Sequence, residues 1–248
     1  MKVIGIIPSR YGSTRFPGKP LAMIKGKTMI QRVCEQAWKS KLDAVVVATD
    51  DMRIAEEVLG FGGKYVMTDP RHQSGTDRCF EALHILETEY DAVVNIQGDE
   101  PFIDPEHINL LVDLISRDDT QLASLAKKID DEDDLFGSNK VKVVMDKAGN
   151  ALYFSRNPIP YMRNVDRKLW MKKGTFYQHL GLYAYKTDVL RQIAMMKPTA
   201  LEKAESLEQL RWLENGLPIR MAIVETDSIA VDSPADLEKA IAFAKAIE

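Results

Sequence analysis

Residues 4–21, IGIIPSRYGSTRFPGKPL, decide how the rest of the chain is read. An apolar run with the composition of a buried strand breaks there into a basic loop that carries glycine. Arg10, Arg15 and Lys19 alternate in it with Gly12, Ser13, Thr14 and Gly18, so side-chain charge and exposed backbone N–H groups can converge on one polyanion. Pro8, Pro17 and Pro20 stiffen the loop and reduce the entropy lost when it orders around a ligand. Alone, a basic loop is most simply a solvated surface feature. This one follows the first strand of an apparent open α/β sheet, and such sheets bind ligands beyond the carboxyl ends of their strands. That placement points to a nucleotide.

Strand and helix patterns alternate onward from the loop. Thr28 precedes a 3.6-residue stripe of Met29, Ile30, Val33, Cys34, Ala37 and Trp38, a helix packed on the sheet. DAVVVATD is apolar on both faces, as in a strand covered by helices on each side. Asp50 or Asp51 caps the next helix, with Ile54, Ala55, Val58 and Leu59 inward. KYVM reads as an edge strand, and TDPRHQSGTDR leads into a helix bearing Cys79, Phe80, Leu83 and Leu86. This alternation predicts a largely parallel sheet. Ser74, Gly75 and Thr76 sit at the helix start, at the positive end of its dipole, although capping alone explains such residues. His72 reads as a hydrogen-bonded loop residue, and neither it nor Arg78 is given a catalytic role.

DAVVNIQGDEPFID is the second informative stretch, a buried strand that ends in Gln97, Gly98, Asp99 and Glu100. A carboxylate at a strand end repels a polyphosphate unless a divalent cation lies between them, so Asp99 reads as a Mg²⁺ ligand. Asp104 and Pro105 start another helix. From residue 121 the strands LASLAKKI, KVKVVMD and ALYFSR follow, with a hairpin turn over 146–150. The acidic run 130–134 reads as a solvated loop, and residues 157–176 as a flexible excursion or a dimer-forming arm. YQHLGLYAYK alternates, with Leu180 and Leu182 on one side and His179, Gly181, Tyr183 and Tyr185 on the other. His179 is then either a packed histidine or part of a pocket wall. ALEKAESLEQLRWLENG reads as one helix with Leu201, Ala204, Leu207, Leu210 and Leu213 inward and Glu208 and Gln209 flanking the stripe. Asp232 ends a strand before a helix capped at Ser233, Pro234 and Asp236. It can pair with Asp99 across one cation only if the fold unites them.

Composition narrows the class. The 248 residues are 45% hydrophobic and 28% charged, an ordinary globular chain without a visible linker, read as a single domain over 1–248. A formal net charge of −4 argues against nucleic acid as a partner. No apolar run reaches bilayer length and no signal layout opens the chain, so no membrane insertion and a cytoplasmic location are expected. Cys34 and Cys79 fall on apolar helix faces and read as buried and inert.

Taken in order, IIPSRYGSTRFPGKPL, ATDD, HQSGTDR, NIQGDEP, ALYFSR, QHLGLYAY, SLEQLRWLENG and VDSPADLE resemble the 3-deoxy-D-manno-octulosonate (Kdo) cytidylyltransferase family, the CMP-Kdo synthetases of lipopolysaccharide-making bacteria. The resemblance covers nearly the whole chain. Ser9 and Phe16 stand where Ala and Leu are frequent in that family. The fold it implies is a nucleotide-diphospho-sugar transferase type α/β domain, a largely parallel central sheet flanked by helices, with an antiparallel extension used in dimerisation and a sugar-pocket excursion over about 121–200. It further implies a cytoplasmic homodimer acting on CTP and Kdo with Mg²⁺. Arg10 and Lys19 would hold the CTP phosphates, Ser13, Ser74 and Gly75 would contact the nucleotide, and Asp99 and Asp232 would bind the metal. Gln97, Arg156, His179, Tyr183, Glu208 and Gln209 would form the sugar pocket, where Arg156 suits a carboxylate because guanidinium binds one in bidentate fashion. The rivals are an enzyme for a related acid sugar such as 8-amino-Kdo or sialic acid, and a catalytically silent nucleotide-binding regulator. A dinucleotide-dependent oxidoreductase ranks last because the loop lacks G-x-G-x-x-G.

Overall fold

The structure, a computed structural model, describes residues 1–12, 16–72, 74–226 and 229–247. In chain order the elements are β1 (Val3–Ser9), β2 (Met23–Ile24), β3 (Lys27–Thr28), α1 (Met29–Ala37), β4 (Ala44–Thr49), α2 (Met52–Gly60), β5 (Tyr65–Met67), α3 (Gly75–Ile85), β6 (Ala92–Asn95) and α4 (Pro105–Ile115). There follow β7 (Leu122–Lys128), α5 (Glu132–Phe136), β8 (Lys142–Met145), β9 (Ala151–Ser155), α6 (Trp170–Lys173), β10 (Tyr177–Lys186), α7 (Thr187–Ala194), α8 (Ala200–Glu205), α9 (Gln209–Glu214), β11 (Arg220–Val224) and α10 (Pro234–Ile247).

The main sheet runs β5-β4-β1-β6-β10-β7-β11. Its strands pair in parallel except β10, which is antiparallel to both β6 and β7. The β8–β9 hairpin joins β10 at one end and forms the antiparallel extension. Helices cover both faces, so the strands are apolar on both sides, and two layers of core result. One packs Ile7, Val94 and Leu125 against α1, α2 and α4, and the other packs Ile6, Val93 and Tyr185 against α3, α7 and α9. The predicted caps form: Thr28, Asp51, Ser74 and Asp104 each accept a hydrogen bond from a first-turn N–H, each contribution being on the order of 1 kcal/mol. Cys34 and Cys79 are buried, and burial pushes the Cys34 thiol up to about 12.

Several expectations need correction. Leu59 is 58% exposed and Trp38 44%, because each lies one position past the buried edge of its stripe, about 100° further round the helix. The acidic run is not simply a loop. Asp131 caps α5, whose first turn is acidic, and the helix dipole favours that charge. The 157–176 segment contains the short helix α6, whose Trp170 is buried beside Leu135 and stacks on Phe176 at 6.0 Å. The single helix expected over 200–216 is two. Ser206 adopts φ 53°, a left-handed conformation that ends α8, and α9 starts in a new direction. Leu201 and Ala204 consequently face outward, while Leu207 and Leu210 stay buried. β10 keeps its alternation but carries a register shift between Leu180 and Tyr183. Finally, Asp232 ends no strand: residues 229–232 are irregular, and the preceding strand β11 stops at Val224.

Candidate active site

Topology sets the groove. The chain crosses the sheet from β1 through β4 to β5 and then returns to place β6 on the other side of β1, so the carboxyl ends of β1 and β6 flank a switch point where open sheets bind ligands. Pro8, Ser9 and Arg10 leave one strand there, and Gln97, Gly98 and Asp99 follow the other. Ser74 and Gly75 at the start of α3 and Lys19 and Asp232 complete a groove of about 250 Å³. The two strand ends approach so closely that a Cβ at residue 98 would lie 2.9 Å from the Pro8 carbonyl oxygen, which explains Gly98.

Lys19 reaches the groove through Gly18, which adopts φ 71° and donates its N–H to the Tyr11 carbonyl at 2.9 Å. A Cβ there would also press on the Tyr11 ring at 3.1 Å. The turn aims Lys19 Nζ at Asp99 Oδ2, 2.7 Å away, and at Asp232 Oδ1, 3.4 Å away. Asp232 arrives by a backbone contact rather than a strand: Val231 N–H donates to the Asp99 carbonyl at 2.9 Å. Behind it Val231, Ile24, Met29, Ala240 and Ala244 form a small core under α10. Ser233 and Asp236 exchange hydrogen bonds that start that helix.

This donor set fits a hard divalent cation. The two carboxylates converge on one point, and the Lys19 ammonium shows that the point receives positive charge. Among the described residues no group of three or more His, Cys, Asp or Glu side chains gathers for a metal. Mg²⁺ in particular is held by one or two carboxylates together with substrate phosphates and water.

Arg10 is exposed and lines the groove without an ion pair among the described residues. The Ser74 hydroxyl accepts from Asp77 N–H at 3.1 Å, so its structural capping role is real, and Gly75 offers its backbone at the helix's positive end. Ser13, with Thr14 and Arg15, lies outside the described residues. Arg78 and His72 sit in the wall but are engaged elsewhere: Arg78 with Asp50 at 2.9 Å and Thr68 at 2.5 Å, His72 with Glu81 at 2.5 Å. Neither needs a catalytic role.

The other candidate residues gather where β10 meets the break between α8 and α9. Arg156 donates to the carbonyls of Glu205, Ser206 and Ser138 at 2.7, 3.2 and 3.1 Å. Gln209 Nε2 lies 3.5 Å from His179 Nδ1, and His179 Nε2 lies 2.9 Å from Ser124 Oγ. Because Ser124 donates to the Leu182 carbonyl at 2.8 Å, the consistent assignment is a neutral ring with its proton on Nε2. Burial pushes His179 down to about 3, so the ring is uncharged at neutral pH. Tyr183 packs edge-on to Trp212 at 5.0 Å and pairs across the sheet with Asn95.

Two contacts join this cluster to the groove. Gln97 Nε2 donates to the Gly181 carbonyl at 2.7 Å, and Thr76 of α3 donates to Glu208 Oε2 at 3.0 Å. Glu208 and Gln209 are therefore not the solvated flank of a helix. Gln209 is buried, and burial raises the Glu208 carboxyl above its usual range against the opposing pull of Thr76 and Arg211. Sequence reasoning left out Ser124 and gave Thr76 only a cap. The hydroxyl inside the otherwise apolar LASLA strand was the available signal for the first, and nothing local marked the second.

The geometry agrees with what this chain is similar to. The cytidylyltransferase family profile matches residues 4–224. A protein of Parabacteroides distasonis named 3-deoxy-manno-octulosonate cytidylyltransferase is 54% identical over 247 residues, covering 98% of both chains. One of the same name from Cytophaga hutchinsonii is 53% identical over 239 residues, covering 96% of this chain and 95% of its own. The solved structure of a CMP:2-keto-3-deoxy-manno-octonic acid synthetase complexed with CTP superposes with a TM-score of 0.92 at 42% identity, covering 99% of each chain. Fold, groove and likeness agree, and the chain belongs to the 3-deoxy-manno-octulosonate cytidylyltransferase family.

Proposed function

We infer that the protein activates Kdo with CTP, releasing pyrophosphate and giving CMP-Kdo for lipopolysaccharide synthesis. The observation that carries this reading is the meeting of Lys19, Asp99 and Asp232 at the mouth of a groove whose opposite wall is the start of α3. A triphosphate lying there has Arg10 and Lys19 along its oxygens and the Ser74–Gly75 backbone at a positive helix end. The anomeric hydroxyl of Kdo bonds to the α-phosphorus as the bond from that phosphorus to the bridging β-phosphate oxygen breaks, pyrophosphate leaves with the electron pair, and the hydroxyl proton passes to water. Little covalent chemistry is asked of the protein, whose work is alignment and stabilisation of negative charge.

Asp99 and Asp232 would hold Mg²⁺, which when bound neutralises phosphate charge and acidifies a nearby hydroxyl. Gln97, His179, Tyr183, Glu208 and Gln209 line the sugar pocket, the neutral His179 ring being held between Ser124 and Gln209. Arg156, fixed by three carbonyls, presents its remaining N–H groups to the sugar carboxylate. Ser13 would add a nucleotide contact.

We also infer a homodimer using the 157–176 segment, where Tyr161 is 78% exposed against Trp170; sedimentation at several concentrations tests it. A cytoplasmic location follows from the proposed use of CTP, and no helix among the described residues is long and apolar enough to cross a membrane. Pyrophosphate release with CTP and Mg²⁺ across Kdo, 8-amino-Kdo and sialic acid tests the central reading. Release with Kdo upholds it. Release with only another sugar assigns a sibling activity, and none with any sugar leaves a silent nucleotide binder.

A further inference from the structure

Arg211 has no part in the scheme above, yet it is buried and spans the break that shapes the sugar cluster. Its Nη2 donates to Glu208 Oε1 at 2.9 Å, and its Nη1 donates to the Met196 carbonyl at 2.9 Å. Its Nε lies 3.2 Å from Glu202 Oε2, an ion pair without the straight geometry of a hydrogen bond. Glu202 closes the capping box of α8 by accepting from Thr199 N–H. One guanidinium thus ties the carboxylate that starts α8 to the carboxylate that precedes α9, across the left-handed Ser206. The other oxygen of Glu208 is held by Thr76, one residue from the Gly75 backbone of the phosphate groove.

We propose that Arg211 is a positioning residue for nucleotidyl transfer: it clamps the Glu208 side chain between α9 and Thr76, so that the sugar cluster and the nucleotide groove keep a fixed relation. The inference rests on the proposed placement of Glu208 at the sugar.

The charges around Glu208 decide the direction of the effect. Burial and Asp77 of α3 favour the protonated acid, whereas Arg211 of α9 and the hydroxyls of Thr76 and Ser74 favour the anion. Tyr183 and Tyr185 of β10 and Cys79 of α3 face it as neutral groups, their protons held by burial. Glu202 of α8 is screened from Glu208 by the guanidinium between them. Arg211 is the only cation among the described residues that bonds to Glu208, so its loss leaves burial opposed only by hydroxyls, and Glu208 takes up a proton at higher pH.

The test uses the full-length enzyme at saturating CTP and Mg²⁺ and follows kcat/KM for Kdo against pH. Arg211→Met is expected to move the acid limb upward by about one pH unit, an approximately tenfold loss on that limb, with KM for CTP changed by less than about threefold. Arg211→Lys keeps the charge and should restore part of the shift. If Arg211→Met does not fold, Arg211→Lys carries the test alone, with a limb above that of the unaltered enzyme. A limb unmoved in the variants, or equal rises in KM for CTP and Kdo, overturns the proposal. Glu208→Gln separates the layers. Unchanged Kdo kinetics in it overturn the placement of Glu208 itself, while impaired kinetics beside an unmoved Arg211→Met limb overturn only the role of Arg211.

Discussion

Lys19 Nζ stands 2.7 Å from Asp99 Oδ2, although eighty positions separate the residues in sequence. The bond lies at the mouth of the groove and leaves the ammonium beside the place where phosphate charge would lie. Lys19→Ala is therefore expected to lower kcat by about 10²-fold with little change in KM for Kdo. Steady-state kinetics with each substrate varied would decide it. An intact kcat with only a raised KM for Kdo would show that the role assigned to Lys19 is wrong.

The carboxylate pair predicts a metal dependence of defined origin. Asp99→Asn and Asp232→Asn should each raise the Mg²⁺ concentration needed for half-maximal rate by about tenfold or more, since one of the two anionic ligands is lost. Chelation should abolish pyrophosphate release, and added Mg²⁺ should restore it. Both substitutions leaving the Mg²⁺ titration unchanged would rule out this site as the metal's.

His179 makes a stability prediction. Its ring ionises near 6.5 in the unfolded chain and is pushed down to about 3 by burial in the folded one. A depressed value means stability that is present above pH 6.5 and lost as pH falls from there towards 3. The loss is about 1.4 kcal/mol per pH unit. Thermal melts over that range should show a shallower decline for His179→Gln than for the unaltered protein. Parallel slopes would mean that the ring titrates normally.

Gly98→Ala tests the crossing of strand ends. The added methyl meets a backbone carbonyl, which cannot swing aside as a side chain can, so a loss of about 1–3 kcal/mol is expected together with impaired CTP binding. Denaturant unfolding and calorimetric CTP titration measure the two effects. Full stability would place the Pro8 carbonyl further away than it is here.

The layered sheet was legible because its strands and helices carry local, repeating signals, and Thr28, the Asp50–Asp51 pair, Ser74 and Asp104 announced helix starts by side-chain chemistry alone. The basic loop and the acidic end of β6 were legible as candidates for the same reason. Their union with Asp232 was not, since it depends on one backbone hydrogen bond between Val231 and Asp99 that no periodicity encodes. The break at Ser206 was hidden as well. Leucines continue at helical spacing straight through it, and only tertiary contacts from Arg156 and Arg211 distinguish two short helices from one long helix. For that reason helical spacing alone gave Glu208 and Gln209 no role, and only the resemblance set them in the sugar pocket.

The Val231–Asp99 link makes the groove depend on chain that lies beyond the sheet. A polypeptide cut short before residue 231 keeps the described strands of the sheet together with Arg10 and Lys19, yet it lacks one of the two acidic arms that would grip the ion. It would also uncover Ile24 and Met29, which Val231 and α10 otherwise bury, so the grip on the ion and the closure of that small core are completed together.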